Sequence, residues 1–304
     1  MFAATQPYTP EFRHARPQDT RMISVAIFDL DGTVYLGSDP IPGASRLIRS
    51  LDERGVKVIF YTNRAYRTPE QIAAKLEKLW GEEQITVDPQ DVMTGATVTA
   101  RGLGDGATAY YLGDNLPNTG KPALVQALEQ CGVRITDVNP EYVVVGFTST
   151  LHIVEDPDEE VCPDGANLTK AVQLIDAGAM FVATNPDRYI LVKEKRVPEN
   201  GAIVAAVEAA TGKMPMMFGK PEPHGVTFIL EDLNVSPDKA MLVGDNVATD
   251  IPCGRAAGVL TVHTNTGVSR RHEGESLSQL IRPHEFVTNY DDPRWVRILG
   301  WDPR

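Results

Sequence analysis

Four apolar residues, Val25-Ala26-Ile27-Phe28, run directly into Asp29-Leu30-Asp31-Gly32-Thr33. No other stretch constrains the fold as tightly as this junction. The run reads as a short strand, and it delivers two carboxylates into a glycine turn. Strand alternation sends residues two apart to the same side, so both acids converge on one centre. A hard cation with oxygen ligands offsets their repulsion, which makes the turn a compact magnesium and phosphate site. Gly32 lets the chain turn without a Cβ penalty, and Thr33 caps or holds the turn that follows. A lone Asp-x-Asp reads more plainly as an acidic surface turn after a buried strand. The rest of the chain decides between the two.

Short apolar runs alternate with helical patterns, which predicts an α/β fold with a mostly parallel sheet. Strands are expected at Ser24–Phe28 and Val56–Tyr61, with a helix over Ala44–Arg54 between them and Gly55 as its stop. Thr68-Pro69-Glu70 opens a further helix to about Trp80, Thr68 serving as N-cap. Another helix is expected over Gln90–Leu103. The chain then makes its own α/β set, with strands Ala109–Leu112, Tyr142–Gly146 and Met180–Ala183. Helices Lys121–Cys131, Ala166–Ala177 and Ala202–Ala210 accompany them. Sheet-forming runs resume at Ala240–Val243 and Val259–Val262, joined by a helix near Ile251–Ala257. The reading is therefore an extension over 1–22, a core over 23–103 and 214–304, and an inserted α/β domain over 104–213, a normal domain size.

Composition narrows the function. Lys and Arg number 29 against 41 Asp and Glu, a net charge of −12, and no basic cluster offers a nucleic-acid footprint. A small anionic substrate stays open, because a local metal inverts the field inside one pocket. No apolar run reaches the ~18 residues of a membrane span, so no membrane partner is expected. The first 22 residues lack a signal-peptide core. Cys131, Cys162 and Cys253 are scattered without metal spacing, which fits free thiols in a reducing, cytoplasmic setting.

Four segments share one placement at the ends of apolar runs. They are Asp29-x-Asp31-Gly32-Thr33, Thr62-Asn63, Gly219-Lys220-Pro221 and Gly244-Asp245-x₄-Asp250. Ligands of open α/β sheets bind at the carboxyl ends of strands, so these groups are expected at one edge of the core. Taken singly each has a plainer reading. Thr62-Asn63 is a strand-end turn, Lys220 a solvated loop lysine, and Asp245 and Asp250 flank a helix start that favours acids anyway.

Together the four segments resemble the motifs of the haloacid dehalogenase superfamily of phosphohydrolases. Ala183-Thr184-Asn185-Pro186-Asp187, Val207–Lys213 and Gly219-Lys220-Pro221 are similar to the NagD-type branch of 4-nitrophenylphosphatases and phosphoglycolate phosphatases. The resemblance spans about residues 23 to 290. It implies a Rossmann-like parallel-sheet core with an inserted α/β cap domain, and a Mg²⁺-dependent phosphomonoester hydrolase. By the same resemblance Asp29 is the nucleophile that forms an aspartyl-phosphate, and Asp31 the general acid and base. Thr62 and the Asn63 backbone hold the phosphoryl oxygens, and Lys220 neutralises the intermediate. Mg²⁺ is held by Asp29, the Asp31 carbonyl and Asp245, with Asp250 orienting the metal shell from behind.

Only one helix and one strand fit between Asp29 and Thr62, so the insertion falls between Thr62 and Lys220. In the family this is a cap that supplies specificity, and its substrate-facing loop corresponds to Asn185, Pro186, Asp187 and Arg188. A plain Asn-Pro-Asp turn is the alternative there. Self-association as a homodimer is assigned to the cap. His152 and Glu155–Glu160 read as an exposed cap loop, His224 as a loop or helix-start residue, and Trp295 and Trp301 as packing. Many relatives carry a second Asn where this chain has Arg64; Arg64 and Arg67, near the Thr62 loop, are placed to contact a substrate anion, with surface arginines as the plainer reading. The stretch Arg188–Leu191 is bulkier than the family pattern. The expected substrate is a small phosphorylated metabolite: a sugar phosphate, phosphoglycolate, a nucleotide monophosphate or 4-nitrophenyl phosphate. The competing functions are a phosphotransferase and a catalytically weak regulator that binds phosphometabolites on the same fold.

Overall fold

The computed structural model describes residues 22–81, 85–113, 121–146, 165–192, 195–275, 277–278 and 281–301. The N-terminal extension up to residue 21, His152, Glu155–Glu160 and Cys162 lie outside the described residues.

Two parallel sheets organise the chain. The first has six strands in the spatial order Glu285–Val287, Leu260–Thr264, Ala240–Gly244, Val25–Phe28, Lys57–Thr62, Val92–Thr94. Every pairing in it is parallel. From Val25–Phe28 the chain first adds strands on one side, and later returns to add three on the other. The order reverses at that central strand, and a crevice at the strand carboxyl ends beside such a reversal is where open α/β sheets bind ligands. Asp29, Thr62 and Asp245 lie at or just past the ends of three adjacent strands.

Val25–Phe28 is buried on both faces, as a strand between helical layers must be. Ala26 and Phe28 pack with Leu47, Ile48 and Leu51 of the helix Ala44–Glu53, and with Ile72 and Leu76 of the helix Pro69–Leu79. Val25 and Ile27 face the other way, among Val226 and Ile229 of the helix His224–Leu233. The N-terminus of Pro69–Leu79 is fixed by a capping box in which the Thr68 hydroxyl accepts from Gln71 N and the Gln71 side chain accepts from Thr68 N.

The second sheet has five strands in the order Met216–Met217, Met180–Ala183, Tyr142–Val145, Thr108–Leu112, Arg134–Ile135, again all parallel. Its Ala109, Val144 and Val182 belong to the same apolar cluster as Val25 and Ile27, so the two sheets share packing. Two expectations are corrected here. The strand leading to Lys220 does not join the first sheet; Met216 and Met217 pair with Val182 and Ala183. The central strand already has both neighbours, and the free edge lies beside Met180–Ala183. The single helix expected over Gln90–Leu103 is broken. Pro89–Asp91 forms a 3₁₀ turn, Val92–Thr94 pairs with Phe60–Thr62, and the helix begins at Gly95 with Thr94 as its cap. Sheet pairing of the β-branched stretch overrides the helical pattern.

The other elements expected from the sequence lie within a residue or two of their expected bounds. The hairpin of Tyr189–Val192 against Lys195–Pro198, the helices His224–Leu233 and Arg294–Ile298, and the short strands Arg134–Ile135 and Glu285–Val287 were not anticipated. Among the described residues no helix is long and apolar enough to cross a membrane. At the C-terminal end Trp295 stacks on Tyr290 at 5.9 Å, and Arg54 covers Trp301 at 4.4 Å. Asp292 pins this segment by accepting from Thr288 N (2.8 Å), Arg294 N (3.0 Å) and the Arg294 guanidinium. Those hydrogen bonds, chiefly from the Arg294 side chain, hold its carboxyl well below the usual carboxylate range. A depressed carboxyl stabilises the fold above its unfolded value and loses that contribution as pH falls through the folded one. Asp292→Asn is therefore expected to cost about 1–3 kcal/mol at neutral pH. The gap to wild type should close in strong acid, as measured by denaturant unfolding across pH.

Candidate active site

Asp29 leaves the central strand with its N–H still bonded to Val243 O at 2.9 Å. Its Oδ1 accepts from Lys220 Nζ at 2.5 Å. The same ammonium donates to Asp250 Oδ1 at 2.7 Å and to Tyr61 O at 3.3 Å. All three ammonium donors are thereby used. Lys220 is 2% exposed and Asp250 1%, so these pairs exist in a medium where charge interactions are strong. Burial alone would lower the lysine's affinity for its proton, but Asp250 and Asp29 outweigh it and hold the ammonium firmly charged.

Asp245 enters the cluster from the next strand. Thr33 Oγ1 donates to its Oδ1 at 3.1 Å and Val268 N to its Oδ2 at 2.6 Å. Gly32, at φ +86°, is pressed against it: a Cβ there would lie 2.5 Å from Asp245 Oδ2, and one on Gly267 would collide with the same oxygen. Two glycines thus leave room for one carboxylate. Carboxylate oxygens of Asp29, Asp245 and Asp250 all lie within 4.8 Å of one another. Three buried acids face one ammonium, and the excess shows in their titration. Burial pushes Asp29 up, Lys220 opposing and Asp250 and Asp245 adding; burial and then Asp250 push Asp245 up to about 7. An all-oxygen cluster with surplus negative charge fits a hard divalent cation.

Asp31 stands apart from this cluster. Its Oδ1 accepts from Arg64 Nη2 at 2.6 Å, while Oδ2 is buried and has no partner. Arg64 is thus not the surface arginine its sequence context suggests. Its guanidinium also donates to the Tyr66 hydroxyl and lies 5.5 Å from that ring. Arg67 is exposed, its guanidinium 5.8 Å from the centre of the same Tyr66 ring.

Thr62 is buried, its hydroxyl accepting from Arg64 N at 3.2 Å. Asn63 does more than present its backbone. Its Oδ1 accepts from Lys220 N (2.8 Å), and its Nδ2 donates to Lys220 O (2.9 Å) and to Asp187 Oδ2 (3.1 Å). Its carbonyl accepts from Asn185 Nδ2 at 3.0 Å. One residue of the first sheet therefore clamps both the Lys220 segment and the loop at 185–187. Asn185 is fully buried, with Oδ1 accepting from Asp187 N at 3.0 Å; it braces the loop. Asp187 is brought to the site and Arg188 is exposed. His224 opens its helix with its ring 5.3 Å from Phe218.

Sequence reasoning missed several members. Thr33 was expected to serve its own turn but binds Asp245. Glu199, 3% exposed, accepts from Asn200 N at 2.7 Å, and burial with Asp187 nearby pushes its carboxyl to about 8. A helix-start acid after Pro198 was its only signal. Tyr66 and Val268 gave none.

A family model for haloacid dehalogenase-like hydrolases matches residues 26–134, and a second HAD-hydrolase-like model matches 217–293. An acid sugar phosphatase of Staphylococcus haemolyticus is 35% identical over 257 residues, 83% of this chain and 89% of that protein. The chain belongs to the haloacid dehalogenase-like hydrolases. Within them it is NagD-like. NagD from E. coli superposes with a TM-score of 0.72 at 28% identity, over 88% of this chain and 97% of that one. A 4-nitrophenylphosphatase from Thermotoga maritima gives 0.75 at 28%, over 90% and 97%. A glycerol phosphate phosphatase from Mycobacterium tuberculosis, in complex with magnesium, gives 0.74 at 28%, over 89% and 76%. This chain is, like them, a phosphatase.

In this phosphatase Asn63→Asp keeps the side chain's size but loses the donor to Asp187 and Lys220 O. One buried and one partly buried acceptor then face an acid, so the variant should lose about 1–3 kcal/mol. A denaturation midpoint equal to wild type would show that the clamp carries no energy.

Proposed function

We propose that this chain is a Mg²⁺-dependent phosphomonoester hydrolase that works on small phosphometabolites through an aspartyl-phosphate. The observation that carries the reading is the split between the two acids of one turn. Asp29 sits with Asp245, Asp250 and an ammonium, while Asp31 turns its oxygens away from that cluster. An attacking carboxylate needs positive charge beside it, and a proton carrier needs a place on the leaving side.

An Asp29 carboxylate oxygen forms a bond to phosphorus as the ester P–O bond breaks, with Asp31 delivering a proton to the departing oxygen. Asp31, now a carboxylate, takes a proton from the water that attacks the same phosphorus. The P–O bond to Asp29 breaks, inorganic phosphate leaves and both acids return to their starting state. The Thr62 hydroxyl and the Asn63 N–H hold phosphoryl oxygens, and Lys220 exchanges one of its three partners for another. Asp29, the Asp31 carbonyl and Asp245 would hold the Mg²⁺, which lets an anionic nucleophile approach an anionic phosphate. Asp250 keeps Lys220 and the Asn246 N–H in place; its Oδ2 accepts from the latter at 3.0 Å. The second sheet, with Asp187 and Glu199 over the site, serves as the cap that selects substrate. The free thiols Cys131 and Cys253 agree with a reducing, cytoplasmic compartment.

Asp29→Asn should fold and lose hydrolysis of 4-nitrophenyl phosphate; turnover near wild type would remove Asp29 as nucleophile. Asp31→Asn should lose about 10²–10⁴-fold on alkyl phosphates. In kcat/KM, which reports the transfer to Asp29 and not the shared hydrolysis step, it should lose less on 4-nitrophenyl phosphate, whose leaving group needs no proton. Equal losses there would argue against an acid role. Excess EDTA should abolish activity and added Mg²⁺ restore it; persistence in EDTA would refute metal dependence.

A further inference from the structure

The chain carries a net charge of −12, yet one side of the Asp31 turn collects cations. Arg64 pairs with Asp31 at 2.6 Å and is 21% exposed at its side chain. Arg67 shares the Tyr66 ring with it, at 5.8 Å against 5.5 Å. Lys75, half-buried on the helix Pro69–Leu79, places its ammonium 3.3 Å from the ring centre of Tyr35. Tyr35 is fully buried, and its carbonyl accepts from Gly32 N at 2.7 Å, so Lys75 stands over the turn that carries Asp31. The Tyr35 hydroxyl is buried with no partner.

Arg64 thus pairs with Asp31, and Arg67 and Lys75 stand nearby over the rings of Tyr66 and Tyr35. Among the described residues Asp31 is the ion-pair partner of Arg64, and neither Arg67 nor Lys75 has one. The crowding is felt. Lys75 is pushed down to about 8 by burial, Asp31 opposing and Arg64 and Arg67 adding. Glu199 on the cap side is itself raised to about 8 and stays largely neutral near neutral pH. A surplus of positive charge in a partly closed site is a demand for an anion. Arg64 offers a planar fork suited to carboxylate or phosphate oxygens.

The location fixes which anion. Asp31 serves the leaving oxygen, so a group one hydrogen bond beyond Asp31 meets the leaving alcohol and not the transferred phosphoryl. We propose that Arg64, backed by Arg67 and Lys75, binds a second anionic group on the leaving alcohol. The preferred substrates are then short phosphoesters that carry a carboxylate or a further phosphate a few bonds from the ester oxygen. This specificity rests on the phosphatase reading above and goes beyond it, since that reading is indifferent to the charge of the leaving group. It also differs from the cap loop as a source of selectivity, because all three cations sit on core elements.

A matched three-carbon series tests it: propyl phosphate, 3-(phosphonooxy)propanoate and propane-1,3-diyl bisphosphate, with 4-nitrophenyl phosphate alongside. In wild type, kcat/KM for at least one charged ester should exceed that for propyl phosphate by about tenfold or more, the scale of one charge-assisted hydrogen bond. In Arg64→Gln that ratio should fall by about tenfold, mostly through KM, and Arg64→Lys should keep part of it. Lys75→Gln should lower it in the same direction. The ratio cancels any loss common to all esters, which is what removing a mere support of Asp31 would cause. The ester with the larger ratio tells carboxylate from second phosphate. A ratio near one in wild type, or one unmoved in Arg64→Gln, overturns the proposal while hydrolysis of 4-nitrophenyl phosphate upholds the phosphatase reading. A chain that hydrolyses none of the four overturns both.

Discussion

The site is built around one buried ammonium that cannot balance the acids beside it. Lys220 donates hydrogen bonds through all three of its N–H groups, two of them to Asp29 and Asp250, and Asp245 completes a cluster in which three acids share one ammonium. Buried like charges are costly, and the cost shows in the raised carboxyls of Asp29 and Asp245. The two glycines that admit Asp245, the backbone N–H of Val268 and the Thr33 hydroxyl are all devices for keeping that carboxylate in a crowded place. The architecture thus stores an electrostatic demand for positive charge at this point.

The fold meets that demand by topology more than by local preference. Strand order reverses at Val25–Phe28, so acids from neighbouring strands arrive at one edge although they are far apart in sequence. Lys220 comes from elsewhere, off the edge strand of the second sheet. Asn63 is what makes the two sources agree, since its amide holds the Lys220 backbone on both its N–H and its C=O.

Much of this was legible in the sequence. Asp29, Asp31, Lys220, Asp245 and Asp250 follow apolar runs at spacings that announce a strand-end site, and the sheet alternation followed from periodicity. What stayed hidden was tertiary. Met216–Met217 is too short for its sheet to be read from pattern, and Val92–Thr94 looked helical until Phe60–Thr62 paired with it. Arg64 looked solvated because nothing in its neighbours reveals that the turn at Asp31 folds back beside it. Asn63 was legible as a strand-end residue, but side-chain bonds spanning more than a hundred residues leave no local trace.

The Asn63 amide touches Asp187 and Lys220 at once. Drawing the loop at 185–187 away from the first sheet would break bonds belonging to the same side chain that places the ammonium. Access to the site and its internal order are therefore coupled through a single amide: a gap wide enough to admit or release a bulky molecule there also loosens the ammonium that sits against Asp29.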